Sequence, residues 1–329
     1  MIITHKLARQ DCLSHRIFSA IEKGWKDTSM KPIHFFWGLG EHNIRDIHNV
    51  IEKNEEWWYV DVGYLTEQIT RYPSPIINNI DKTYFRIVKG EMHTTKGRVG
   101  DGERLNELRH KGIDAEFKGW STGQHILLAP SSPTVTYFIN DASQEDWISM
   151  VTEELKNHTD REIRLRNKPR PGNQWWNTDI KDDLKDCHCL VTNMSLSTID
   201  SILNKVPVIS IAKNVAFPVS EFNLTQIETP FKPEREVVEK WLRTVAENQF
   251  TIPEIENDPS QKVVIPNKTY YVTDDADKFI DKESLDKFYI VGRSDEIKQI
   301  EKECVKHYPD FPFVFMSESE ISPTVDPKN

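Results

Sequence analysis

The stretch "CLVTNMSLSTIDSILNKVPVISI", residues 189–211, reads as a strand, a short helix and a second strand in direct succession. The apolar runs at its two ends have the length of buried strands, and "NKVPV" (204–208) ends the helix between them. Parallel strands joined by a crossover helix are the arrangement that this succession predicts. Hydroxyl side chains crowd the carboxyl end of the first strand: Thr192, Ser195, Ser197 and Thr198.

The same alternation of strand and helix extends to both sides of this stretch. The apolar run at 125–131 ("HILLAPS") and the segment at 161–166 ("REIRLR") predict two more strands. Residues 143–159 and 232–250 carry apolar side chains at helical spacing. Strands and helices that alternate in this way favour a parallel sheet. We therefore predict one Rossmann-like domain over residues 123–258.

Residues 1–122 predict a second, smaller α/β domain. Its strands are expected in "KPIHFFWGLG" (31–40), "EEWWYVDVGYL" (55–65) and "TYFRIV" (83–88). Residues 259–282 are rich in Pro, Asp, Asn and Lys and are predicted to be a linker. Residues 283–329 are predicted to add a C-terminal strand–helix–strand unit. The expected fold class is thus α/β, with two Rossmann-like domains facing a cleft.

Composition narrows the class of protein. The chain has 37% hydrophobic residues, enough for packed cores, and its 42 basic and 52 acidic residues give a net charge of −10. This balance argues against a surface coated with positive charge for nucleic acid, although a local basic groove is compatible with it. The four cysteines lack the spacing of a zinc site, so no metal site is predicted. No run has the length of a membrane span, and a soluble, cytoplasmic protein is expected.

Polar and basic side chains follow three of the predicted strands of the 123–258 domain. In open α/β sheets, ligands bind at the carboxyl ends of the strands, and hydroxyl groups with Arg or Lys suit a diphosphate. The predicted binding residues are Ser131, Ser132, Arg166, Lys168, Asn193, Ser195 and Ser197. Each also has an ordinary structural reading, since Ser and Thr cap helices for about 1 kcal/mol each and basic loops are usually solvated. The convergence of three strand ends favours a binding site.

Asp61 is the acid that the sequence singles out for chemistry. It ends the aromatic strand "WWYVD" and precedes Gly63, which places it at a strand's carboxyl end. A carboxylate there can take a proton from a hydroxyl group, and the alternative is a structural role in the turn. The loop after the preceding strand supplies further cleft residues and rival bases: Gly38, Gly40 and His42, with His34 and His125 as other candidates.

Six segments in this order resemble a group of bacteriophage GT-B-like glycosyltransferases. They are "EEWWYVDVGYLTE", "YFRIVKG", "WSTGQHILLAPSSP", "HTDREIRLRNKP", "LKDCHCLVTNMSLSTIDSILNKVPVIS" and "IETPFKPERE", and the resemblance spans about residues 30 to 258. The segment "LVTNMSLSTIDSILNKVPVI" is also similar to part of the capsule-polysaccharide transferases. The resemblance implies transfer of a hexose from a nucleotide-sugar, with UDP-sugars such as UDP-glucose favoured and no essential metal or other cofactor. It also implies that Asp61 lies on the acceptor side.

Phage enzymes of this kind include those that glycosylate 5-hydroxymethylcytosine in DNA, so the resemblance implies modified double-stranded DNA as a candidate partner in the host cytoplasm. The predicted DNA contacts are Lys96, Arg98, Arg104, Arg109, Arg170, Trp175 and Trp176. Two alternatives stay open. One is a transferase for a surface polysaccharide or a small acceptor, and the other is a noncatalytic interaction protein on a transferase-like fold. Nothing in the sequence predicts the oligomeric state.

Overall fold

The computed structural model divides the chain into two compact units, residues 1–264 and 265–329. It describes residues 1–6, 13–26, 31–40, 42–67, 69–70, 76–77, 79–93, 99–170, 172–257, 268–272, 279–283, 288–292 and 313–317. The predicted contacts Lys96 and Arg98 lie outside these residues.

The first unit begins with a four-stranded sheet in the order β1-β2-β3-β6. Its strands are β1 (Ile2–His5), β2 (Ile33–Trp37), β3 (Glu56–Val62) and β6 (Phe85–Lys89). The first three are parallel, and β6 is antiparallel to β3. The chain between β3 and β6 forms a separate two-stranded antiparallel sheet, β4 (Ile69–Thr70) and β5 (Ile76–Ile77). The helices of this part are α1 (Leu13–Gly24), α2 (Asn43–Glu52) and α3 (Glu103–His110).

Strand β2 shows why this sheet forms. All five residues of "IHFFW" are buried, which is the pattern of a strand covered on both faces. Phe35 packs with Ile17 of α1 on one face, and Phe36 packs with Ile47 of α2 on the other. Alternate side chains of one strand therefore bind two helices to opposite sides of the sheet.

The second sheet of this unit has the order β10-β9-β7-β8. Its strands are β7 (His125–Leu128), β8 (Ile163–Leu165), β9 (Cys187–Thr192) and β10 (Val208–Ser210), and all pairings are parallel. The intervening helices are α4 (Pro133–Asn140), α5 (Gln144–Lys156), α6 (Ile180–Asp183) and α7 (Ser197–Leu203). The mixed α/β class with a parallel sheet, predicted from residues 189–211 and their surroundings, is confirmed.

After the second sheet the chain returns to the first one. Helix α8 (Arg235–Glu247) packs on α3, and α9 (Ile252–Glu256) packs on α1. Phe250 exchanges two backbone hydrogen bonds with Phe85 of β6, at 2.8 and 2.7 Å. The contact of α9 with α1 is close, because a Cβ atom on Gly24 would lie 1.9 Å from the carbonyl oxygen of Ile255. Residues 250–256 thus pack with the first sheet, although the predicted second domain runs to residue 258.

Glu254 holds this return in place, and replacing it with Gln is expected to lower the free energy of unfolding by about 2–3 kcal/mol at pH 7. Its carboxylate accepts bonds from Arg104, with Nη1 at 2.9 Å, and from the Thr251 N–H at 2.9 Å, which completes a capping box. Burial acts to raise the pKa of Glu254, but these bonds outweigh it and lower the pKa to about 2. Urea unfolding of both chains measures the difference.

The pH dependence of the Glu254→Gln effect has a defined sign. A carboxyl group whose pKa is lower in the native state stabilises the fold above its unfolded pKa of about 4.3 and loses that contribution as the pH falls toward 2. The gap between wild type and variant should therefore shrink below pH 4.3. Glu256→Gln is the matched control, because Glu256 pairs with Lys23 at the surface and is expected to contribute less than about 0.5 kcal/mol. Equal losses in the two variants would contradict the assignment.

The second unit contains a four-stranded sheet in the order β12-β11-β13-β14. Its strands are β11 (Lys268–Val272), β12 (Phe279–Glu283), β13 (Phe288–Gly292) and β14 (Phe313–Ser317). β11 and β12 are antiparallel, whereas β13 is parallel to both β11 and β14. Two strands thus lie where residues 259–282 were predicted to be a linker, with β12 ending one residue beyond. The segment is polar as a whole, and this composition concealed the two short runs "TYYV" and "FID" that lie in β11 and β12.

Candidate functional site

Loops from the two sheets of the first unit contact each other. Residues 90–93 fold back over the first sheet after β6, where Arg86 Nε donates to the Met92 carbonyl at 3.1 Å. From there Glu91 binds Lys213 at 2.9 Å, and His93 Nδ1 accepts from the Val215 N–H at 3.4 Å. Both partners follow β10, at the carboxyl edge of the second sheet. This edge therefore faces the first sheet directly.

Apolar side chains reinforce the same contact. Leu39, which follows β2, belongs to a cluster with Phe36, Tyr59 and Met92 on the α2 face of the first sheet. Met194, which follows β9, packs against that cluster, and so do three residues of α4: Val135, Phe138 and Ile139. The segments that follow β7 and β9, which carry Ser131, Ser132, Asn193, Ser195 and Ser197, thus lie against the first sheet.

The loop after β2 brings the predicted residues Gly38, Gly40 and His42 to this region. Gly38 has a φ of 58°, in the left-handed region that glycine tolerates, and its N–H donates to the Val60 carbonyl at 3.0 Å. Asn43 Nδ2 donates to the carbonyl of Gly38 at 3.0 Å and so ties the loop to the start of α2. His42 is exposed at the N-cap position of α2.

Ser131 and Asn193 lie together in a buried polar network. The Asn193 Oδ1 atom accepts from the Ser131 N–H at 2.8 Å, and the Ser131 hydroxyl accepts from the Met194 N–H at 3.1 Å. Ser210 then donates to the Asn193 carbonyl at 2.9 Å. These bonds hold the ends of β7, β9 and β10 in register. Ser132 follows at the N-cap of α4, where its side chain makes no capping bond.

In the turn before α7, backbone N–H groups bond to hydroxyl groups of the same turn. The N–H of Ser195 donates to the Thr192 hydroxyl at 3.3 Å, and that of Ser197 donates to the Ser195 hydroxyl at 3.2 Å. Helix α7 begins at Ser197 and is seven residues long. The two N–H groups are therefore bonded within the chain, where the sequence predicted a seat for an anion. The Ser197 hydroxyl oxygen is buried and has no partner among the described residues.

Arg166 is also engaged inside the chain. It is buried, and its guanidinium donates to the side chain of Asp183 and to the Thr178 hydroxyl and carbonyl, each of the latter at 3.1 Å. The bonds to Thr178 close the loop 167–177 that follows β8, so the role of Arg166 seen here is to shape this loop. Lys168 lies exposed on it.

Asp200 is a candidate that the sequence reasoning missed. This half-buried residue lies on α7, one turn after Ser197, and no described donor bonds to its carboxylate. Burial and the nearby Asp179 raise the pKa of Asp200 to about 6, and the cations of Lys181 and Arg166 offset this only in part. A carboxyl group with a raised pKa and unused acceptor atoms is typical of a functional site. Only its position in the helix after the hydroxyl-rich turn could have indicated it.

Asp61 lies at the expected strand end and forms a buried ion pair. Its Oδ2 atom accepts from Arg86 Nη2 at 3.2 Å and from the Tyr59 hydroxyl at 3.0 Å, and Oδ1 accepts from the Val62 N–H at 2.7 Å. Arg86 also donates to the Val62 carbonyl. These contacts fit the structural reading of Asp61, and its role as a base stays a prediction.

The predicted DNA contacts lie in two separate places. Arg104 is paired with Glu254, and Arg109 is paired with Glu239 at 3.0 Å. In the loop 167–177, Asn173 Oδ1 accepts from the N–H groups of Arg170 and Trp175, both at 3.2 Å. The indole of Trp176 on the same loop is 40% exposed.

No group of three or more His, Cys, Asp or Glu side chains is placed to hold a metal ion in the part of the chain that the structure describes. No helix found there is long and apolar enough to cross a membrane.

Comparisons with known proteins assign no family to this chain. No protein-family model matches the chain, and no curated protein matches it. Among solved structures, the chain is similar to Thermosulfurimonas dismutans KpsC, beta Kdo 2,7 transferase, with 12% sequence identity. That similarity covers 78% of this chain and 97% of the other, with a TM-score of 0.42. A TM-score of this size assigns neither a fold nor a function.

Proposed function

We propose that the chain is a glycosyltransferase that moves a sugar from a nucleotide-sugar to a hydroxyl acceptor, with the two sheets of residues 1–264 in a GT-B-like arrangement. One observation carries the proposal. Asp200 offers unused carboxylate oxygens at the carboxyl edge of a parallel sheet, and the loops of that edge contact a second α/β sheet. Ligands of open α/β sheets bind at this edge.

The donor lies against α7 and the loop after β8. A carboxylate is an acceptor for sugar or ribose hydroxyls, so Asp200 binds the polyol part of the donor. Lys168 supplies positive charge for the diphosphate, while Arg166 positions the loop through Thr178. A UDP-sugar is the favoured donor, and neither a metal nor another cofactor is required in this proposal.

The reaction consists of one bond made and one bond broken at the anomeric carbon. The acceptor oxygen loses its proton to a base and attacks this carbon, while the bond to the diphosphate oxygen breaks. The leaving nucleotide carries the negative charge away, and a fixed cation beside it lowers the barrier. Asp61 is the base that the sequence proposes.

The finer form of the proposal names 5-hydroxymethylcytosine in phage DNA as the acceptor. Among the described residues, the groups that would contact the DNA are Arg170, Trp175 and Trp176, because aromatic and basic side chains together bind nucleic acid. Two observations favour a second acceptor class. Trp176 is exposed, and the charges of Arg104 and Arg109, two of the predicted DNA contacts, are already paired with carboxylates. An indole face stacks on sugar rings, so a polysaccharide or small saccharide is the second candidate.

The test incubates the full-length protein with a panel of UDP-, GDP- and CMP-sugars. Parallel reactions contain duplex DNA with 5-hydroxymethylcytosine or a mixture of oligosaccharides, and mass spectrometry weighs the digested nucleosides and the saccharides. A nucleoside heavier by one sugar supports the DNA acceptor, and a heavier oligosaccharide supports the second class. If no product gains mass and no nucleotide-sugar raises the melting temperature, glycosyl transfer is wrong and the noncatalytic alternative is favoured.

A further inference from the structure

Two histidines and a glutamate form a hydrogen-bonded chain across the first sheet. His34 Nε2 lies 3.0 Å from Glu55 Oε2, and His34 Nδ1 lies 3.0 Å from His5 Nε2. The chain thus links the residue before β3, the interior of β2 and the last residue of β1. None of these residues belongs to the network of Asp61 or to the donor side.

The partners determine which nitrogens carry protons. A carboxylate only accepts, so His34 Nε2 bears the hydrogen that faces Glu55. His34 Nδ1 is then the acceptor for His5 Nε2–H. His5 Nδ1 is consequently left with its lone pair, at the outer end of a carboxylate–imidazole–imidazole chain.

The position of His5 suits contact with a substrate. His5 is level with Phe36 in the parallel register, and Phe36 is level with Tyr59, so all three lie on the same face of the sheet. This is the face on which Met194 and α4 of the second sheet pack. The His5 ring stacks on Phe36 with centroids 3.9 Å apart, which fixes its plane, and the residue is only half-buried.

We propose that Glu55, His34 and His5 form a proton-accepting relay in which His5, in place of the ion-paired Asp61, is the general base for the acceptor hydroxyl. This rests on the proposed function. The acceptor O–H bond breaks, its proton passes to His5 Nδ1, and its oxygen bonds to the anomeric carbon as the nucleotide leaves. The new charge on His5 is stabilised through His34 by the Glu55 carboxylate. His34 and Glu55 are positioning residues, and His5 is the catalytic one.

Its surroundings keep the His5 ring unprotonated at neutral pH. Burial and the neighbouring His34 lower the pKa of His5 to about 4, against an opposing effect of Asp46 on α2, so the ring is neutral at pH 7. On the α1 side, Glu22 is bound by Thr4 and Lys6 at 2.7 and 2.9 Å. A general base must begin the reaction unprotonated, as His5 does.

The first part of the test needs no donor. Diethyl pyrocarbonate modifies unprotonated imidazoles, and peptide mass spectrometry of the full-length protein gives a rate for each histidine. We expect His5 to react about 3- to 10-fold more slowly in Glu55→Gln than in wild type, because the relay no longer supports its basicity. His158→Gln is the control, since the His158 ring lies 2.9 Å from Glu154 Oε1 and outside the relay. An unchanged rate at His5 in Glu55→Gln would overturn the relay.

The second part uses whichever donor and acceptor give a product in the preceding experiment. His5→Ala is expected to lower kcat about 10²- to 10³-fold, with an unchanged donor-induced melting shift and partial rescue by added imidazole. His5→Gln reports on the same step with a better preserved side-chain volume. Full activity in both variants would overturn the assignment of His5. Absence of transfer by wild type would instead defeat the proposed function, and the modification rates would still decide the relay.

Discussion

Replacing Arg86 with Met is expected to lower the free energy of unfolding by about 3–5 kcal/mol, because it leaves a buried carboxylate without its cation. The Arg86 side chain is 4% exposed and that of Asp61 is 12% exposed. The guanidinium also lies between two aromatic rings, 5.4 Å from the centroids of both Tyr59 and Tyr64. Urea unfolding, followed by tryptophan fluorescence and circular dichroism, measures the loss.

Two companion variants separate the buried pair from general effects of mutation in β6. Lys89→Met removes a cation from the same strand, but Lys89 is 43% exposed and binds Glu56 at the surface, so a loss below about 1 kcal/mol is expected. The double variant Arg86→Met/Asp61→Leu has no unpaired buried carboxylate, so it should be more stable than the single variant Arg86→Met. A single Arg86→Met variant as stable as Lys89→Met would show that the pair contributes little.

Replacing Asp200 with Asn is expected to stabilise the protein at pH 7 by about 1–3 kcal/mol while weakening nucleotide-sugar binding about 10- to 100-fold. The native carboxyl group has a pKa of about 6, above its unfolded value, so the native state holds its proton more tightly. Wild type therefore loses stability as the pH rises from about 4 to 6, and the variant does not. Affinity falls because an amide presents one acceptor oxygen where the carboxylate presents two.

The two halves of this prediction are measured separately. Urea unfolding at pH 4.5 and pH 7.5 gives the stability difference, which should be larger at the higher pH. Isothermal titration with the best donor gives the affinity. Asp182→Asn on the neighbouring helix is the control, since Asp182 is exposed and binds Lys185. A variant less stable than wild type at pH 7.5 would contradict the raised pKa, and unchanged affinity would remove Asp200 from the donor site.

The strand–helix alternation made the second sheet predictable, because the buried strand β9 and the helices α5 and α8 are long enough to show their own periods. The strand-end rule brought Ser131 and Asn193 together correctly. It did not show that Arg166 is bound by Asp183, because that partner is 17 residues away on a helix of its own. Such pairings depend on the folded geometry, which local patterns do not encode.

The same limit applies to the residues that now carry the site. Asp61 was recognised by its place at a strand end, whereas its partner Arg86 stands 25 positions further along the chain. His5 and His34 are joined only by the parallel pairing of β1 with β2. In the sequence Asp200 is an ordinary acidic residue of a helix, and only its burial in the folded protein raises its pKa. Residue type and strand position were readable from the sequence, but contact and burial were not.

The return of the chain from α8 to α1 bears on how the protein is made. The first sheet receives its last backbone bonds and its α9 helix only from residues 250–256. The second sheet, whose strands all lie between residues 125 and 210, is complete in the nascent chain before those residues leave the ribosome. Domains usually fold during synthesis in the order in which they emerge. In this protein we expect the order to be reversed, with the later sheet folding first and the amino-terminal half waiting for the segment that closes it.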